Sequence, residues 1–444
     1  MFTMTGFVEL ENFIGIHKNT ESDEPYKKCE LRNRTQLRYG TDTAYLLATA
    51  NLYAMATFLS DRLGREYRYS EKDTVHRNLR ISSKYYEASF NELYASYDTD
   101  RVRLRAGNQI YGWGTADVYN PTSYFNPFDM REYFFKDEDE QRLGVPSVSA
   151  MFFIGDFTLE TVLMPVHVPM ALAPSGNFWA IESKLGRQPV ILEEGAALDA
   201  KPENMGAGAR FAGSLMGVDV SLSAYHGPYK EPLLVPDGTR ILPNKPLALA
   251  VKQQYHVLTM IGTDVSFKMD KFVLQAEAAY SPDKTGMVMQ DTDDIRRIAF
   301  PFETRKSPYV SYSAGFNYFI PLGRLIEGHE GDTVFTAEWH QSLYLDRELA
   351  DPLFTKIVSC RLEDSYFGGR LKVSLTAMFD TAKSGYLLWP QLTWDFQNGL
   401  SFSVTYAAIE HTGASAGRIN ENESAFYYLR DNDMVTWRVR YAYK

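Results

Sequence analysis

The feature that most constrains this chain is a rhythm of two. Near its end Val435, Trp437, Val439, Tyr441 and Tyr443 fall on one face, while Thr436, Arg438 and Arg440 fall on the other. Successive side chains of a strand point to opposite sides, so such a segment stands between an oily medium and a charged one. The pattern recurs. Phe335, Ala337, Trp339 and Leu343 alternate with Thr336, Glu338, His340 and Ser342. Leu371, Val373, Leu375, Ala377 and Phe379 alternate with Lys372, Ser374, Thr376 and Asp380. Oily faces this aromatic, and this frequent, exceed what a soluble sandwich core would use. The pattern predicts an all-β fold, a transmembrane antiparallel β-barrel.

Segments of this kind cover residues 2–16, 27–41, 44–59, 85–99, 101–114, 147–155, 157–168, 205–216 and 218–227. They continue over 255–269, 271–281, 309–320, 332–345, 355–367, 370–381, 385–397, 400–411 and 427–443. That makes about eighteen strands, with sixteen the alternative count, in a single domain over 1–444. Very short connectors alternate with long ones, as periplasmic turns alternate with extracellular loops. Asn398-Gly399 and Gly368-Gly369 are the strongest turn signals. Near Asn91 and Glu92 the polar register slips by one, which predicts a β-bulge.

No run in the 444 residues approaches the roughly 18 apolar residues of a membrane helix. Barrel strands do not need one, because every second residue faces the lumen; a mean hydropathy of -0.31 fits that. A net charge of -10 with no basic domain argues against nucleic acid. Cys29 and Cys360 lack the spacing of a zinc or redox motif and are expected to be unpaired thiols. The opening MFTMTGFVEL has neither a basic start nor an apolar core, so a bacterial outer-membrane location implies that a native leader has been removed.

Charges facing lipid would cost roughly 2–4 kcal/mol each at the midplane, so the charged faces are assigned to the lumen. They carry Arg32, Arg34, Arg38, Arg103, Arg105, Arg210, Arg361, Arg438 and Arg440 against Glu9, Glu11, Glu87, Glu277, Glu338, Glu363 and Asp395. Closure of the barrel would bring Arg438 and Arg440 beside Glu9 and Glu11. Such a field either guides a solute or consists of mutually satisfied ion pairs.

The loop over 115–145 carries Tyr119, Tyr124, Phe125, Phe128 and Asp129 and is long enough to fold back and constrict or plug the pore. The loops over 169–204 and 228–254 are unusually apolar and Pro-rich: Pro169 to Pro174, Asn177 to Ala180, Pro189 to Leu192, Glu231 to Pro236, Ile241 to Pro243 and Pro246 to Ala250. They read as a lid or capture site, as a partner contact, or as segments folded into the mouth. The acidic groups Asp137 to Glu140 and Asp291, Asp293 and Asp294 read as solvated loop carboxylates before they read as a calcium site. His340 and Ser342 share a strand face, yet they face away from lipid, and no catalytic motif or cofactor fingerprint occurs. No catalytic residue, metal or cofactor is therefore assigned.

Arg103-Leu-Arg-Ala-Gly-Asn-Gln109, Trp113-Gly114, Asn120-Pro121 and Asn126-Pro-Phe-Asp129 form a series that resembles a known pattern. It is similar to an uncharacterised family of outer-membrane β-barrels with an RLGRQ strand, a WG and a closing NPxD, often encoded beside RND-type (MMPL-like) lipid exporters. Arg142 to Ser147, with Leu159, Glu160 and Pro165, resembles the next stretch of that family, so the likeness covers about residues 100–170. Asn108 stands where that family prefers Arg. Alginate-export and long-chain fatty-acid barrels are more distant lookalikes. The resemblance implies passage of a small hydrophobic or amphiphilic solute. The expected partners are outer-membrane lipid and an RND-type exporter or periplasmic carrier. A general or anion-selective diffusion porin and an assembly or partner-docking barrel of an envelope lipid export system are the rival expectations.

Overall fold

The computed structural model describes residues 1–16, 26–58, 67–174, 177–180, 190–193, 195–240, 248–290, 297, 299–322, 329, 331–352, 355–412, 424–430 and 432–444. Asn19 to Pro25, Pro189, Ile241 to Pro243, Pro246, Leu247, Asp291, Asp293 and Asp294 lie outside the described residues.

Eighteen strands form a closed barrel. They are β1 (Phe2–Gly15), β2 (Tyr26–Gly40), β3 (Ala44–Met55), β4 (Tyr86–Asp98), β5 (Val102–Gln109), β6 (Val145–Ile154), β7 (Phe157–Met164), β8 (Gly206–Leu215) and β9 (Val218–Pro228). The other half is β10 (Val257–Met269), β11 (Phe272–Met287), β12 (Thr304–Ile320), β13 (Thr333–Tyr344), β14 (Lys356–Tyr366), β15 (Leu371–Asp380), β16 (Gly385–Asp395), β17 (Leu400–His411) and β18 (Met434–Tyr443). Each is antiparallel to the next. β18 returns to β1 with Glu9 opposite Arg440 and Glu11 opposite Arg438. Closure leaves no sheet edge to be satisfied, which is what lets strands cross a bilayer. This is the fold of bacterial outer-membrane barrels.

The period of two sets the environment. Leu222 is 65% and Leu392 53% exposed, and Leu31, Leu104, Leu163, Ile261, Leu362, Leu375, Phe379 and Phe402 stand out from the wall with them. Their strand neighbours Glu9, Glu11, Arg32, Asp264, Glu277 and Glu338 are buried inside. An apolar surface this continuous is stable only against lipid.

Connections on the side of the two termini are short: 41–43, 99–101, 155–156, 216–217, 270–271, 367–370 and 396–399, with 321–332 longer. Gly368 and Gly369 adopt φ of 66° and 77°, a conformation that explains two glycines in one turn. Connectors at the opposite end are long, apart from 381–384. The bulge falls at Asn91, between Glu92 opposite Thr49 and Phe90 opposite Ala50.

Some boundaries differ from the periodicity. β5 stops at Gln109 rather than 114, and β7 at Met164, where Pro165 has no amide to continue the ladder. β11 and β12 run further toward the loops than 281 and 309. The stretch from 427 is not strand: a one-turn helix, α1 (Ala425–Leu429), is capped by Ser424, whose hydroxyl accepts from the Phe426 amide. The loops add a hairpin, Thr74–His76 with Arg80–Ser82, on the outer end of β4. They also add a three-stranded sheet of Val190–Glu193, Ala248–Gln254 and Leu233–Arg240. Cys29 and Cys360 are both free thiols.

A barrel of this strand number is wide enough to hold an aqueous channel. Here the loop-side half is filled. One buried cluster joins Phe13, Tyr67, Phe135, Trp179 and Phe426; a second joins Tyr111, Trp113, Phe125 and Tyr225.

Candidate functional site

The filling is chiefly the segment after β5. Asn126 staples its two ends, donating to the Gln109 and Leu143 carbonyls (3.0 and 2.8 Å) and accepting from the Tyr111 amide (2.8 Å). The chain then crosses the lumen. The Trp113 indole N–H donates to Glu160 on β7 at 2.7 Å. Glu277 on β11 receives the amides of Ala116 (3.1 Å) and Thr122 (3.4 Å) and the Thr122 hydroxyl (2.6 Å). Glu338 on β13 receives the amides of Asp117 (2.8 Å), Val118 (3.3 Å) and Tyr119 (2.9 Å). Between these strands, Ser313 on β12 donates to the Tyr119 carbonyl at 2.7 Å. Two wall carboxylates thus bind backbone amides, which fixes the path of the segment whatever its side chains.

Its aromatic residues pack as a block. Trp113 meets Phe125 edge-on with centroids 5.0 Å apart, and Tyr124 stacks on Tyr225 at 5.6 Å. Phe128 lies under the Lys230 ammonium at 4.8 Å, and that ammonium also donates to the Ser123 carbonyl at 2.7 Å. Burial pushes Lys230, just beyond β9, down to about 8.

The second half of the segment sits on charge. Arg131 pairs with Glu87 (2.7 Å) and Asp129 (2.5 Å), and Lys136 with Asp129 (2.6 Å). Glu132 receives the Lys28 ammonium at 2.7 Å and the Tyr67 hydroxyl at 2.5 Å. Asp137 takes both Arg438 (2.7 Å) and Arg440; Asp139 takes Arg34 (2.5 Å), and Glu140 takes Arg32. Those arginines also hold the seam: Arg32 and Arg440 share Glu9, and Arg438 shares Glu11 with Lys28. Burial alone would raise the Asp137 carboxyl, but Arg438, Arg32 and Arg440 outweigh it and hold it below the usual range. Asp129 is held low in the same way, by Arg131 and Lys136.

The structure therefore brings Arg32, Arg34, Arg438, Arg440, Glu9 and Glu11 together, and places Glu338 with Tyr119 on the opposite wall. Tyr124 and Phe125 belong to the aromatic block, while Phe128 lies against the Lys230 ammonium. Five other arginines lie apart. Arg103 pairs with Asp98 (2.9 Å), Arg210 with Asp264 (3.0 Å) and Arg361 with Glu363 (2.7 Å). Arg38 lies over the Tyr45 ring at 4.1 Å, and Arg105 donates to the Tyr45 hydroxyl at 3.4 Å. Among the described residues neither of these last two has a carboxylate partner.

The acidic run is a correction. Asp137 and Glu140 are not solvated loop carboxylates; they are seated on the lumen arginines, and Asp139 remains well exposed. No cluster able to hold a metal occurs among the described residues. Sequence reasoning passed over Lys28, Arg131, Glu132 and Lys136, and did not see Glu277 as an anchor, although its inward parity was visible.

His340 and Ser342 are hydrogen-bonded at 3.0 Å, Ser313 reaches the other imidazole nitrogen at 3.0 Å, and Tyr119 stacks on the ring at 4.5 Å. The pair serves as a seat for the crossing segment. The apolar loops turn inward too. Phe178 and Trp179 are buried at the mouth against Phe135 and Phe13. Val235, Leu249 and Val251 are buried within the small outer sheet.

Comparison with known proteins gives a family and a fold. A family described as "Protein of unknown function (DUF1302)" matches residues 21–339. No curated protein matches. Among solved structures, Acinetobacter baumannii OccAB1 aligns at TM-score 0.54 and 8% identity, over 99% of this chain and 95% of its own. Acinetobacter baumannii OccAB3 aligns at 0.52 and 9%, over 100% and 99%. Pseudomonas aeruginosa OccK5 (OpdH) aligns at 0.50 and 11%, over 99% and 97%.

Proposed function

The chain belongs to the DUF1302 family, whose description assigns no activity, and from that starting point we propose that it is a gated outer-membrane channel for a small amphiphilic solute. The observation that carries this reading is the clasp of Glu338 on the amides of Asp117, Val118 and Tyr119. The lumen is closed chiefly by one segment whose backbone amides hang on wall carboxylates and whose acidic turn sits on wall arginines, contacts that water can replace one by one as the segment swings out. An aromatic block stands next to it, and Arg38 and Arg105, apart from the segment, have no carboxylate partner among the described residues; the two surfaces suit the two ends of an amphiphile.

The test is ion conductance and solute uptake in reconstituted bilayers. The intact chain should conduct rarely, and deletion of residues 117–140 should give a wide, steadily open pore. Identical conductance of the two proteins would end the gating proposal.

A second reading is passage of hydrophilic anions. It is favoured by Arg38 and Arg105, which flank Tyr45 with no carboxylate partner among the described residues. Reversal potentials would separate the two: selectivity for chloride, with no preference for amphiphiles in liposome swelling, points to the anion pore.

A further inference from the structure

At the loop end, beside Arg131 of the crossing segment, lies a cavity of about 300 Å³. One wall is the hairpin carrying His76 and Arg80; another is the apolar run Val168–Pro174. We propose that this cavity binds a small organic carboxylate, its head on the Arg80 guanidinium and its carbon chain along Val168–Pro174.

Arg80 is the observation behind this. It is only 5% exposed. Among the described residues its one hydrogen-bonding neighbour is the His76 imidazole, 3.3 Å from Nη2, and its Nε has no partner. Among the described residues no carboxylate lies within ion-pair distance of it. The nearby acids are engaged: Glu87 holds Arg131 through two bonds (2.7 and 2.8 Å) and accepts from Ser82 at 2.5 Å, while Asp129 holds Arg131 and Lys136. A buried cation left without a counter-ion is costly.

The ligand class follows from the walls. A carboxylate offers two oxygens to the planar guanidinium fork. A dianionic phosphate would be repelled by Glu71 at the exposed rim and by Glu87 and Asp129, which lie with Arg80 around an adjoining smaller cavity. Arg77, also at the cavity, is held by the Leu198 carbonyl at 2.6 Å. Val168, Met170, Ala171, Leu172 and Ala173 supply the apolar side that small-molecule sites favour. The assignment deepens the channel reading by naming the solute class met first at the mouth, and it rests on that reading only there.

The test is calorimetric titration and thermal melting of the full chain in lipid nanodiscs, with hexanoate as probe and hexylamine, hexanol and inorganic phosphate as controls. Hexanoate should bind at least tenfold more tightly than the three controls and raise the melting temperature. Arg80→Met should lose at least tenfold in hexanoate affinity, yet melt no lower without ligand, because an unpaired charge has been removed. Arg80→Lys should fall between. Equal binding by wild type and Arg80→Met, no hexanoate binding, or phosphate binding as tightly as hexanoate would each overturn the assignment. Conductance is read separately, so a silent pore that binds hexanoate counts against the channel and not against the site.

Discussion

Glu11 on the first strand and Arg438 on the last form an ion pair across the seam of the barrel, and the same carboxylate accepts the Lys28 ammonium at 2.7 Å. Glu11 is fully buried, with Arg32 3.7 Å away. Replacing it by Ala would leave the buried Lys28 and Arg32 and the part-buried Arg438 short of one counter-charge. Breaking a buried pair from one side typically costs about 3–5 kcal/mol. Urea unfolding of Glu11→Ala in lipid vesicles should show a loss of that order, and the heat-dependent gel shift of the folded barrel should move to lower temperature.

Glu338 is the clasp whose removal should open the pore. Each hydrogen bond to a charged acceptor contributes about 1.5–3 kcal/mol, and Glu338 makes three to the crossing segment. Even about 3 kcal/mol lost from the closed state multiplies the open population by roughly a hundred. Glu338→Ala should therefore conduct often where wild type conducts rarely, with unchanged strand content by circular dichroism. The outcome that counts against the clasp is an opening frequency equal to wild type.

Lys230 makes docking of the segment sensitive to alkali. Burial lowers its ammonium to about 8, against about 10.4 for a free lysine. Between these values the released segment leaves Lys230 hydrated and binding more protons than when docked. Docking thus tightens as pH rises from about 8 to 10, and changes little below 8. Protease cleavage within 117–140 should slow over that window for wild type. Lys230→Met should show a flat profile.

The oily belt can be probed one residue at a time. Leu375 points outward and is 44% exposed, while its neighbour Thr376 faces the lumen opposite Arg361. Leu375→Arg should cost about 2–4 kcal/mol in a bilayer if it lies near the midplane. Thr376→Glu, next to a cation, should fold almost as stably as wild type. Vesicle unfolding of the two proteins gives the comparison, and equal stability would contradict the facing.

The wall was legible because its physics is local. Each strand must be oily outside and polar inside, and that requirement writes itself into alternate residues such as Leu371 to Asp380. The bulge at Asn91 showed for the same reason. The end of β5 did not: Trp113 keeps the inward parity of Arg105, but the chain leaves the wall because Asn126 takes the Tyr111 amide and Glu160 the Trp113 indole. The 427 stretch was misread because Phe426, Tyr427 and Leu429 suit a strand or a helix, and Ser424 decides. The acidic run was misread for a deeper reason. Asp137 is some three hundred residues from Arg438, and only barrel closure and loop path together bring them within 2.7 Å. No periodicity encodes that.

The two halves of the clamp on Asp137 also set an order of assembly. Arg438 and Arg440 are on the last strand of the barrel, and Glu9 and Glu11, which orient them, are on the first. Until those strands zip together, the acidic turn has only Arg32 and Arg34 to hold it. A half-built cylinder should therefore stay unstoppered, its interior free for the remaining hairpins to settle. The cork is seated by the same act that completes the bottle.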